Sequence, residues 1–278
     1  MDHRDPHQRY SVDFFCGLSS AVITTLVTHP VNKLIYRQIL EGGALKDSLT
    51  RLRLEGLHYL YRGALPPMFQ KAVSLSTMFG VYNVALVPMK KLHMAPRTEH
   101  FAAGFIAGTA ETIFCPFERV QVLLIKSEYH SRFKNMFHTF IDLRRTHGIL
   151  EYYRGTAVVY WKNTLSCSMF FVMKAEVKKH YGKEDASVTK NLLNFLTGGV
   201  LGAAMTTVLY PYKTVQVYIQ KDIGGRFLTS REVILSIYSK GGVKLFYKGV
   251  VLNSIRALLG WGVTNSVFDY MKEKLNRL

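Results

Sequence analysis

Two carboxylates and a guanidinium interrupt the stretch FAAGFIAGTAETIFCPFERVQVLL, residues 101–124: Glu111, and then Glu118 and Arg119 just past Pro116. The small, apolar run before the proline reads as a lipid-embedded helix, and a charge at a bilayer centre costs about 3 kcal/mol even on translocon-derived scales. Ionisable groups kept inside membrane helices face a bundle interior or a water-filled path, and they mark where a solute goes. The chemistry on offer is therefore charge recognition. A plainer alternative leaves Glu118 and Arg119 at a helix end in the headgroup layer. Bond-making chemistry is poorly supplied: no GxGxxG follows a strand-like run, no nucleophile has a base nearby, and His29, His100 and His147 lack ligand spacing. Cys16, Cys115 and Cys167 sit in apolar context without CxxC or Cys/His spacing and read as buried thiols. The expectation is no enzyme, no metal and no cofactor.

The elements that must position these charges are apolar runs ending at prolines. Residues 192–211 hold 20 positions without a charge, enough for a bilayer-crossing helix. Residues 14–30 and 101–116 are similar, and amphipathic runs at 64–88, 156–173 and 250–268 each start after a glycine. Pro30, Pro116 and Pro211 are followed at comparable distance by YRG (61–63), YRG (153–155) and YKG (247–249). Small residues precede each proline by 13 and 9 positions: Gly17 and Ala21, Ala103 and Ala107, Gly198 and Gly202, a spacing that lets membrane helices approach closely. Three sets of marks in one phase define a threefold repeat. Each unit reads apolar helix, proline, basic turn, short amphipathic helix ended by glycine, aromatic-basic-glycine, second apolar helix. The units span about 10–95, 96–184 and 188–278 and predict an all-α membrane protein with six transmembrane helices, both termini on one side.

Composition agrees. The chain has 278 residues, 48% of them hydrophobic, and a net charge of +17, which points to an anionic partner. A soluble nucleic-acid binder would explain the charge but neither the uncharged runs nor the threefold marks, so no nucleic-acid partner is expected. The start, MDHRDPHQRY, is polar and mixed in charge and does not read as a secretory signal or an Arg- and Ser-rich transit peptide, so an organelle address would lie in the mature chain.

A threefold P-x-[DE]-x-x-[KR] after the odd helices with an aromatic-basic-glycine before the even ones resembles the mitochondrial carrier family over about residues 10–275. PVNKLIYRQ, LYRGALPPMFQKA, GTAETIFCPFERVQVLL and WGVTNSVFDYM are most similar to its NAD-carrier branch. The resemblance implies six transmembrane helices in three pseudo-threefold hairpins with short matrix helices, in the mitochondrial inner membrane, acting as a monomer that imports NAD by alternating access. Another bulky anion such as a different nucleotide or coenzyme A, or an orphan member without transport, remains the alternative.

Carried over residue by residue, the resemblance puts the matrix gate at Asn32, Glu118 and Lys213 in the acidic slots and at Ile35, Gln121 and Gln216 in the basic ones. The slot pairs Asn32–Gln121, Glu118–Gln216 and Lys213–Ile35 contain no ion pair, although Lys213 could reach Glu118 instead. The cytosolic gate is as worn, at Asn83, Lys178, Asp269 and Lys272, so gates that close weakly are expected. Substrate contacts fall seven or eight residues after each marker glycine, at Gln70 and Lys71, Lys162 and Asn163, and Arg256. Three cations thus converge near the midplane, where Lys71, Lys162 and Arg256 would hold a pyrophosphate. Five residues before each proline stand Thr25, Glu111 and Thr206, and the lone acid would face a cationic nicotinamide or a ribose hydroxyl, or else ion-pair with Lys71 or Lys162. By the resemblance the corners Arg62-Gly63, Arg154-Gly155 and Lys248-Gly249, with the start of the short helices, would hold cardiolipin, since backbone N–H groups at a helix N-terminus bind phosphate. The rings of STMFGVY and SCSMFFVM read as packing.

Overall fold

A computed structural model describes residues 6–42, 45–92, 94–181, 199–200 and 202–276, and among them every regular element is helical. Helices α1 (Pro6–Glu41), α2 (Leu45–Glu55), α3 (Leu65–Lys91), α4 (Pro96–Glu111), α5 (Cys115–Ile125), α6 (Met136–His147), α7 (Thr156–Tyr181), α8 (Tyr210–Gln220), α9 (Ser230–Phe246) and α10 (Val250–Asn276) follow in order. Residues 199–200 and 202–208 are helical and lead into α8. Among the described residues one segment, 59–91, is long and apolar enough by itself for a membrane span, with a mean hydropathy of 1.4 over its best window.

The short helices α2, α6 and α9 appear where expected, and the residue types at their ends say why. Asn135 caps α6 by accepting the His138 N–H at 2.8 Å, and Thr229 with Glu232 forms a reciprocal capping box on α9. Gly148 stops α6 at φ 83°, a conformation that costs other residues a Cβ clash. The backbone leaves helical geometry at Gly241 and Gly242, the latter at φ 60°, so the first stretch of α9 ends there as α6 does at Gly148, and a short second stretch runs on to Phe246. The prolines act unequally: Pro116 and Pro211 each open a new helix after a break, whereas Pro30 lies within a continuous α1.

Helices α1 and α10, the first and last, pack along each other, and α4 packs on both α3 and α7. The α4–α7 contact is closest at Gly104 and Gly108, one step beyond the expected Ala103 and Ala107, which are themselves fully buried. A Cβ on Gly108 would stand 2.5 Å from Thr164 Cα and 2.6 Å from the Asn163 carbonyl. Gly108→Ala therefore drives α4 off α7 beside the central residues, a loss of about 1–3 kcal/mol or more. Thermal unfolding in detergent checks this against Gly80→Ala, where nothing lies within 4 Å and no loss is expected. Gly17 has no described side-chain environment, and Gly198 lies outside the described residues.

At one end the three proline-containing helices converge on a plug of buried side chains: Ile35, Tyr36 and Ile39 from α1, Val122 and Ile125 from α5, Tyr210 and Val217 from α8. The marker glycines lie around it, all at positive φ: Gly63 at 85°, Gly155 at 83° and Gly249 at 88°. Each abuts a different helix of the plug, Gly63 against Ile125, Gly155 against Ile219, and Gly249 against Tyr210 and Gln38, with room for no Cβ at the last. The glycine of one repeat thus closes on the end of another.

Candidate functional site

A cavity of about 290 Å³ lies above the plug, lined by Asn32 and Tyr36 of α1, Gln70 of α3, Glu111 of α4, Glu118 and Gln121 of α5, Lys162, Asn163 and Ser166 of α7, Thr206 and Leu209, Lys213 and Gln216 of α8, and Asn253 and Arg256 of α10. All three repeats contribute. Five of the six predicted contact residues line it; Lys71 does not, although it is half-buried next to Gln70. Lys213 joins Lys162 and Arg256 in the lining, and Lys71 stands just outside it, within electrostatic reach of Arg256.

Glu118 is the hub of the floor. Lys162 Nζ donates to both of its carboxylate oxygens at 3.0 and 2.9 Å, Gln70 Nε2 donates to Oε1 at 3.0 Å, and Gln216 Nε2 donates to Oε2 at 2.5 Å. Lys162 also donates to Gln216 Oε1 at 2.8 Å. The slot pair Glu118–Gln216 is in hydrogen-bond contact. The expected gate position Glu118 nevertheless has an ion-pair partner that slot matching did not anticipate, because the long Lys162 side chain of an even helix reaches down to it. Lys162 fills the role in which Lys213 had been considered. Among the described residues no hydrogen bond joins Asn32 to Gln121, and Lys213 meets no carboxylate. Nor is the contact between these helix ends held by ion pairs alone. Each aliphatic side chain of the plug is worth roughly 1.5–3 kcal/mol against water, against ~0–1 kcal/mol for a typical exposed ion pair.

Lys213 and Arg256 are joined differently. Lys213 Nζ donates to Asn253 Oδ1 at 3.1 Å, and Arg256 NH2 donates to the same oxygen at 3.3 Å. The Lys213 ammonium also lies 5.2 Å from the Tyr36 ring centre and 5.9 Å from that of Tyr210. Two cations sharing one neutral oxygen repel by about 3 kcal/mol at an effective dielectric constant near 20, and a ring face returns part of that. The buried Arg256 Nε and Gln121 Nε2 have no hydrogen-bond partner among the described residues. Asn253 was missed in the sequence, yet a signal existed: four residues after the marker glycine the other repeats carry Pro67 and Val159, so the amide breaks symmetry as Glu111 does.

Glu111 makes no ion pair with Lys71 or Lys162. Its two oxygens accept from the Ser74 hydroxyl and, at 3.0 Å, from the Cys167 thiol. Thr206 also lines the cavity, whereas Thr25 is buried and returns its hydroxyl to the Ala21 carbonyl.

Arg119 points neither into the cavity nor to the surface. It is fully buried, donating to Glu151 Oε1 at 2.5 Å and to the Asp222 carbonyl at 2.7 Å. Glu151 also takes Arg154, through Nε at 2.9 Å and NH2 at 3.1 Å. The corner arginines are therefore occupied. Arg154 is 3% exposed and donates to the carbonyls of Gly224, Gly225 and Arg226 while lying over Phe227. Arg62 donates to the carbonyls of His130 and Phe133. Each pins its corner to the loop of the next repeat. Lys248 alone of the three corner cations has no described side-chain partner; its carbonyl accepts from Tyr210.

At the opposite end, Tyr82 stacks on Phe171 at 3.5 Å and shares a 2.6 Å hydrogen bond with His100. Phe79 meets Phe170 and Phe171 edge-on, with Lys174 above it. These rings of STMFGVY and SCSMFFVM pack α3 against α7. Asn83 is exposed, and the side chains of Lys178, Asp269 and Lys272 lie outside the described residues.

A family model described as mitochondrial carrier protein matches residues 6–90, 94–185 and 187–278. The chain is 35% identical over 261 residues to the mitochondrial nicotinamide adenine dinucleotide transporter SLC25A52 of Homo sapiens, covering 93% of this chain and 88% of that one. The same identity and coverage hold for the human transporter SLC25A51. Solute carrier family 25 member 53 of Homo sapiens is 27% identical over 274 residues, 95% of this chain and 88% of its own. With three consecutive matches over nearly its whole length, the chain belongs to the mitochondrial carrier protein family.

Proposed function

We propose that this protein imports NAD from the cytosol into the matrix across the mitochondrial inner membrane, as a multi-pass monomer with one solute path and no bound cofactor. The observation that carries the reading is the cavity itself. It is built from all three repeats and polarised, with Lys213 and Arg256 on one wall and Glu111 on another. A dinucleotide with two phosphates and a cationic nicotinamide has a use for both signs. Its volume lies at the low end of the ~300–1,000 Å³ of ligand pockets, so the cavity widens to take the whole solute.

In this reading Gln70, Lys162, Asn163 and Arg256 contact the solute with Glu111, and Lys71 joins them when the cavity opens. Asn32, Glu118, Gln121, Lys213 and Gln216 close the matrix side, and Asn83, Lys178, Asp269 and Lys272 the cytosolic side. The solute drives the exchange of gates only by as much as it binds one state better than the other. Cardiolipin sits at the N-termini of the even helices, where the backbone N–H groups after Gly63, Gly155 and Gly249 offer a phosphate site. Lys248 supplies a side-chain cation there, while Arg62 and Arg154 hold the corners in shape.

Proteoliposomes containing the purified chain test the cargo by uptake of labelled NAD, competed by ATP and by coenzyme A. Saturable uptake with preference for NAD is the expected result. Preference for another nucleotide or for coenzyme A would replace the cargo and leave the site. No uptake of any of them would make the chain a carrier without transport.

A further inference from the structure

We infer that Lys213 and Arg256, held side by side by Asn253, form the seat for the solute's diphosphate, and that Asn253 is the positioning residue of that seat. The inference rests on the reading of the cavity as the solute site and changes which residues hold the phosphates. Lys162, the natural candidate by position, is committed to Glu118 and Gln216, and Lys71 does not line the cavity. Lys213 and Arg256 have no carboxylate partner among the described residues; both donate to the single Asn253 oxygen.

The chemistry of that oxygen decides the outcome. An amide carbonyl is neutral and 2% exposed here, so it fixes the two donors without cancelling their charge. An aspartate at the same place would present the same oxygen geometry with a full negative charge, and would occupy the seat as an internal anion. The amide therefore leaves two cations converging on one point with an unpartnered Arg256 Nε beside them. Two phosphate groups carrying several acceptor oxygens fit that arrangement. The Tyr36 ring lies 5.2 Å from the Lys213 ammonium. Glu111, which lines the cavity from α4 and is held by Ser74 and Cys167, is left for the nicotinamide end.

Asn253→Asp is the discriminating variant, followed by uptake and by thermal unfolding in detergent. The KM for NAD is expected to rise at least tenfold, while the unfolding midpoint without solute stays level or rises because a carboxylate now bridges two cations. A merely structural asparagine would move both in the damaging direction, and that result overturns the proposal. So does a KM within threefold of wild type. If Asn253→Asp does not accumulate, Lys213→Gln carries the test: a tenfold rise in KM supports the seat and a change below threefold overturns it. If the wild type takes up no NAD, the cargo reading fails separately, and inorganic pyrophosphate becomes the probe. Stabilisation of the wild type but not of Asn253→Asp by pyrophosphate then supports the seat, and an equal shift or none in both overturns it.

Discussion

Replacing Lys162 by methionine is expected to abolish NAD uptake and lower the unfolding midpoint by several degrees, whereas Lys213→Met lowers uptake at least tenfold and leaves the midpoint at or above that of wild type. Both changes remove one positive charge from the same cavity, and the difference lies in what each leaves behind. Without Lys162, the Glu118 carboxylate keeps only the amides of Gln70 and Gln216 in a site where its side chain is 13% exposed. Breaking a fully buried pair costs about 3–5 kcal/mol. The lysine here is 20% exposed, so roughly 2–3 kcal/mol is appropriate, about 5–10 °C for a chain of this size. Without Lys213, a repulsion with Arg256 disappears and no carboxylate is stranded. Midpoints of the purified variants in one detergent, beside uptake in liposomes, give the comparison. Equal losses of stability in the two would refute the assignment of partners.

The same pair marks the boundary of what the sequence could tell. Pro116, Pro211 and the glycines at 63, 155 and 249 were legible because backbone geometry demands those residue types: a ring that cannot donate an N–H, and a positive φ beside a neighbouring helix. Such constraints recur in every repeat, so they announce themselves as a period. Most of the cavity's lining was legible for the same reason, since the symmetry that sets the helices sets which positions face inward. Pairing was not. Lys162 reaches Glu118 along a flexible four-carbon stem, and a stem's direction leaves no mark in spacing. Arg119 illustrates the point more sharply. It stands next to Glu118, yet it turns away from the cavity to Glu151, 32 positions on and without a charged counterpart in the other repeats. At the equivalent place after the other prolines, Lys33 donates to the Tyr59 carbonyl and Thr214 to that of Phe246. The strut is threefold; the chemistry of each strut is not.

That strut carries the other large effect: Glu151→Gln is expected to prevent stable folding. Glu151 is 2% exposed, with Arg119 at 0% and Arg154 at 3%, so the three form a triad of two cations and one anion out of contact with water. Its carboxylate accepts Arg119 at 2.5 Å and Arg154 at 2.9 and 3.1 Å. The glutamine preserves shape and one acceptor, but it leaves two buried guanidiniums facing each other. A single uncompensated buried charge costs about 3–5 kcal/mol, comparable to a large share of the ~5–15 kcal/mol by which folded proteins exceed their unfolded states. The damage extends beyond the triad, because Arg154 ties its corner to the carbonyls of Gly224, Gly225 and Arg226 in the next repeat. Arg119→Met should be far milder. Arg119 already buries Nε and NH1 without partners, and its removal leaves Glu151 bound to Arg154. It follows that Arg119→Met introduced into Glu151→Gln restores much of the loss, since one cation then remains with its carbonyl partners. Recovery of folded protein from membranes and its unfolding midpoint measure all three variants. A double variant no better than Glu151→Gln alone would mean that the carboxylate serves through shape and hydrogen bonding, and that charge balance does not hold this corner together.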